Sequence, residues 1–101
     1  MPKIFEYLGL VFFFYANEHL PIHVHISKEN LESKAELIFE NGELLEIKFV
    51  KVKSRKGLGE VDLKNAEKFI KKYYLSIVKK WETFFVLKAK VSCELINNKV
   101  K

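Results

Sequence analysis

A chain of 101 residues with 49% hydrophobic and 31% charged types is sized for one domain; this composition argues against disorder and leaves little room for a second domain. Nine Phe, four Tyr and one Trp supply a core, while the single Cys93 excludes an internal disulfide and a cysteine-based zinc site and points to a reducing compartment. The net charge of +5 is lopsided: residues 1–61 hold eight Lys/Arg against nine Asp/Glu, and residues 62–101 hold ten Lys against four acids.

In chain order, Ile4, Phe5 and Tyr7 suit a short strand, and Gly9 a turn into Leu10–Tyr15. The latter run is rich in Phe and short, the pattern of a strand buried on both faces. It is too short to span a bilayer, and no small-x-small cleavage site follows it, so a cytoplasmic protein without a membrane partner is expected. Asn17–Pro21 reads as a connection. Ile22-His23-Val24-His25-Ile26 then alternates with period two, which sets both histidines on the face opposite the three apolar residues. Residues 27–33 read as a polar loop.

Asn41-Gly42 lies between alternating runs, 34–39 and 44–49, and predicts a hairpin with a type I′ turn. Leu45, Ile47 and Phe49 are expected on one face, with a bulge near Phe49 where the alternation changes phase. Lys51, Lys53, Arg55 and Lys56 form a basic loop closed by Gly57 and Gly59. From Asp62, a good N-cap, the apolar period becomes three to four through Leu63, Ala66, Phe69, Ile70, Tyr73, Tyr74, Ile77, Val78 and Trp81. That predicts a helix over 62–83 whose stripe (Phe69, Tyr73, Ile77, Trp81) packs on Phe12, Phe14 and Leu37. Residues 84–93 fit either helix or strand, and 97–101 read as a frayed tail. The expected fold class is α+β: a mainly antiparallel sheet of about five strands with one long amphipathic helix on one face. The domain spans 1–86, and 87–101 is a C-terminal extension.

All three histidines lie within seven residues. His23 and His25, two apart on a strand, stand about 7 Å apart at Cα and can converge on one divalent metal or act as an acid–base pair. A turn at Pro21 allows His19 to return to them, with Glu18 beside it. The plain alternative is an exposed polar sheet face.

Over Phe13-Phe14-Tyr15-Ala16-Asn17-Glu18-His19-Leu20-Pro21-Ile22-His23-Val24-His25 the chain resembles a family of short prokaryotic proteins of unknown function with the signature F-x-Y-x-N-E-H-x-P-x-H-x-H. The resemblance continues through Ser33-Lys34-Ala35-Glu36 to the helix ending near Trp81, covering about residues 2–85. It differs in carrying Ile22 where many relatives have a second proline, and in its long Asn41-Gly42 hairpin. Such relatives are often encoded beside a second small domain and are associated on that basis with toxin–antitoxin systems. The resemblance implies a small α+β domain without an assigned activity. The His-x-His fragment is not that of histidine-triad hydrolases, whose third alternating histidine would fall at Ser27.

The resemblance and the lopsided charge lead to an accessory or antitoxin-like binding component with a protein partner from a neighbouring gene. Nucleic acid is a second partner class, although a solvated lysine face is the favoured account of the charge, and a single arginine weakens base-specific recognition. Two alternatives use the histidines. A ribonuclease-type toxin would employ His23 and His25 as acid and base, His19 assisting, Tyr15, Asn17 and Glu18 in support, and Lys51, Lys53, Arg55 and Lys56 drawing in phosphate. A metal-binding module would use His19, His23 and His25 as ligands for a divalent cation; otherwise no cofactor is expected.

Overall fold

In the computed structural model, which describes residues 2–15 and 22–101, the chain opens with a hairpin. Strands β1 (Lys3–Tyr7) and β2 (Leu10–Phe13) pair antiparallel about Leu8-Gly9, whose φ values of 50° and 79° are both left-handed. Two-residue hairpins with this twist need that conformation, which Gly9 adopts without the Cβ penalty that Leu8 bears.

The next hairpin corrects the sequence reading. Strands β3 (His23–Lys28) and β4 (Leu31–Glu40) are joined by only Glu29-Asn30, with Glu29 at φ 56°. The loop expected over 27–33 is therefore paired strand, Ser27 opposite Glu32 and Lys28 opposite Leu31. Polarity misled because Glu32 continues the polar face of Lys34 and Glu36, while Ser33 Oγ accepts the Leu58 backbone N–H at 3.1 Å. Strand β5 (Glu43–Lys51) follows the Asn41-Gly42 turn, at φ 53° and 83° as its sequence requires. The bulge lies nearer the turn than expected. Ile38 faces Glu46 and Phe39 faces Leu44, which leaves Leu45 as the extra residue, 64% exposed, and brings Leu44 to the core with Ile47 and Phe49.

Helix α1 (Glu60–Trp81) starts two residues before the expected cap, with Gly59 at the N-cap position. Asp62 instead sits in the first turn, where its charge complements the helix dipole, and pairs with Lys28 Nζ at 3.3 Å. After Trp81 the chain makes a π turn over Glu82–Val86, and Leu87 N–H bonds the Glu82 carbonyl at 3.0 Å. Irregular chain then leads to β6 (Glu94–Ile96), parallel to β1.

The six strands form one mixed sheet, ordered β5-β4-β3-β2-β1-β6, antiparallel except at the last pair. The sixth strand, which follows directly on the region with ambiguous periodicity, separates this from the five expected. Helix α1 covers one face. Phe69 is its anchor, with ring centroids 4.7 Å from Phe12, 4.8 Å from Tyr7 and 5.2 Å from Phe5. Ala66, Ile70, Ile77 and Trp81 continue the buried stripe against Val24, Ile26, Ala35 and Leu37. The tail returns to this core: Val100 is 6% exposed and its N–H donates to Tyr7 Oη at 2.8 Å. Among the described residues no helix is long and apolar enough to cross a membrane.

Candidate functional site

The sheet face turned away from α1 is assembled by register. Val24 and Ile26 point to the core, so His23 and His25 point to the other side, as their spacing predicts. Phe13 lies opposite His25 on β2, while Lys34 and Glu36 lie opposite His25 and His23 on β4. Glu32, two residues before Lys34, takes the position diagonal to His25, within reach of a long side chain.

Glu32 is the centre of this face. It is 3% exposed, and three side chains approach its carboxylate. Tyr15 Oη donates at 3.0 Å to Oε2 and lies 3.3 Å from Oε1; His25 Nδ1 lies 3.1 Å from Oε2; Arg55 Nε is 3.9 Å from Oε1. An ionised carboxylate only accepts, so the contact is a hydrogen bond in the His25 tautomer that carries its proton on Nδ1. Aromatic packing fixes the imidazole further: the Phe13 ring stacks at 5.5 Å and the Tyr15 ring stands edge-on at 4.3 Å. The His23 ring lies 5.6 Å from that of His25, so these two predicted site residues share one polar cluster.

Glu32 is the residue sequence reading missed. Its signal was the alternation of Ser33, Ala35, Leu37 and Phe39, which, extended backwards, sets Glu32, Lys34 and Glu36 on the histidine face. Tyr15, expected in a supporting role, bonds Glu32. Asn17, Glu18 and His19 lie outside the described residues. Among the described residues no three His, Cys, Asp or Glu groups stand together as a metal-ligand set, and His19, the third ligand expected from the sequence, lies outside them.

The basic loop joins the cluster at one point. Lys51 ends β5, and a turn closed by Arg55 N–H on the Val52 carbonyl at 3.1 Å follows. Glu32 N–H bonds the Lys56 carbonyl at 2.9 Å, which ties the loop to β4. Arg55 thus reaches the buried carboxylate while Lys51, Lys53 and Lys56 remain exposed.

A family model described as "Domain of unknown function (DUF4160)" matches residues 9–82. The chain belongs to this family. Tyr15, His23, His25, Glu32 and the basic loop of the DUF4160 domain all fall inside the matched segment, whereas β1 and β6 fall outside it. No curated protein and no solved structure matches the chain.

Proposed function

We propose that this DUF4160 protein is a binding component of a small toxin–antitoxin-type pair, and that it meets a protein partner through the basic loop 51–56 beside Glu32. The resemblance stated above supplies the toxin–antitoxin context. The observation that carries the reading is the tie between loop and sheet: the buried Glu32 carboxylate lies 3.9 Å from Arg55 Nε and the Glu32 backbone N–H donates to the Lys56 carbonyl, so the cationic loop is anchored to β4 at two points. Fixing a surface in advance lowers the ordering cost of association. Co-expression with the products of adjacent genes tests it. The expected result is a stable complex with one of them, weakened at least tenfold by combined Lys51→Glu, Lys53→Glu and Arg55→Glu substitutions. Absence of any complex, or one indifferent to the three substitutions, overturns it.

A second reading follows from the His25–Glu32 contact. A carboxylate on Nδ1 fixes the tautomer and strengthens Nε2 as a base, an arrangement suited to acid–base cleavage of RNA with His23 as the other imidazole. Purified protein would then cleave single-stranded RNA, and His25→Ala would lower the rate by about 100-fold or more. Cleavage unchanged in His25→Ala removes this reading.

A further inference from the structure

The other face of the molecule carries a second basic surface, built by helix α1 and the C-terminal tail. Lys68, Lys71 and Lys72 on α1 and Lys99 and Lys101 of the returning tail line one depression of about 560 Å³. The tail is held there by Val100, buried at 6% exposure and bonded through its N–H to Tyr7 Oη, whose ring stacks on Phe69. Lys99 and Lys101 flank that anchor, so their positions beside α1 are set by the core.

What sets this surface apart from a lysine-rich helix face is that five lysines from two elements line one concavity. Of the five lysines that line it, Lys71 alone has a carboxylate of the described residues within 4 Å, Glu67 at 3.7 Å. Lys68, Lys72, Lys99 and Lys101 have none, and all four are exposed. Like charges held around a concavity repel one another and raise the local concentration of anions.

We propose that this depression binds the phosphate backbone of a nucleic acid, independently of sequence. The depression is open and its cations are spread over the helix and the tail, which suits a chain of phosphates better than one small anion. Lysine acts on phosphate as a point charge, whereas base reading relies on the forked guanidinium. The chain's one arginine, Arg55, is on the opposite side of the sheet with Glu32. The surface therefore positions a nucleic acid without reading it, and it is separate from the loop assigned to the protein partner.

The test is fluorescence anisotropy with labelled 20-nucleotide single-stranded RNA and a 20-base-pair DNA duplex over a salt series. Between about 50 and 200 mM salt wild-type binding should weaken about 100-fold for the single strand and about 500-fold for the duplex, as roughly five phosphate contacts require. Lys68→Ala with Lys72→Ala, and separately Lys99→Ala with Lys101→Ala, should each lower the slope of log affinity against log salt by about 1.4–1.8. An equal effect from the tail pair is the distinctive result, because a loose tail would contribute little. Thermal melts should be unchanged in both double variants, since all four side chains are exposed. The proposal is overturned if neither probe binds at low salt, or if the slope responds to Lys51, Lys53 and Lys56 substitution and not to these four lysines.

Discussion

The residue that organises the histidine face is a carboxylate that the sequence hides among polar neighbours. Replacing Glu32 with Ala leaves Tyr15 Oη and His25 Nδ1 without their shared acceptor, so the substitution should cost about 2–4 kcal/mol by denaturant melt. Tyr15→Phe removes one bond to the same oxygen and should cost about 1–2 kcal/mol. Equal losses from the two would mean that Tyr15, not Glu32, is the centre. A second residue-scale expectation concerns Cys93. Partial desolvation, and next the Glu6 carboxylate, push its thiol pKa up, outweighing Lys3 and Lys80. A raised pKa means less thiolate at neutral pH, so iodoacetamide should label this exposed cysteine more slowly than a free thiol, with the rate still rising above pH 9. His23 and His25 were legible because period two fixes their face; Glu32 was not, because a turn with a glutamate at positive φ gives no Gly or Asn-Gly signal at that position.

At the scale of elements, periodicity succeeded where one face is buried and failed where a local defect resets it. The α1 stripe is correct from Ala66 to Trp81, and Phe69→Ala should cost about 3–5 kcal/mol, having lost contact with four aromatic rings. Lys68→Ala, on the solvent side, should change stability by less than about 0.5 kcal/mol. Urea melts that reverse this order would rotate the helix on the sheet. On β5, by contrast, alternation alone assigns Leu45 inward, and the extra residue at the bulge turns it outward. A bulge is set by the pairing of two strands, which one strand's pattern cannot display. The stretch after Trp81 was ambiguous for a similar reason: a π turn shifts the helical phase, and β6 is only three residues long.

For the whole molecule, composition and the two clear periodicities were enough for the α+β class and for a helix on one face. They do not contain the order of the strands or the parallel seam between β1 and β6, because that pairing joins Phe5 to Glu94 and carries no local signal. Every other neighbouring pair in the sheet joins strands consecutive in the chain. The four antiparallel seams therefore close short loops, except across residues 14–22, while the last requires most of the polypeptide to be in place. Closing a long loop carries the larger entropic cost, and non-local contacts slow folding. Pulse-labelled hydrogen exchange during refolding should show the amides of β3, β4 and β5 protected first, with β6 and Val100 N–H last. The two tail lysines then reach α1 only when this final seam has closed. The basic depression is thus a property of the finished fold, and a partly folded chain would present its lysines separately.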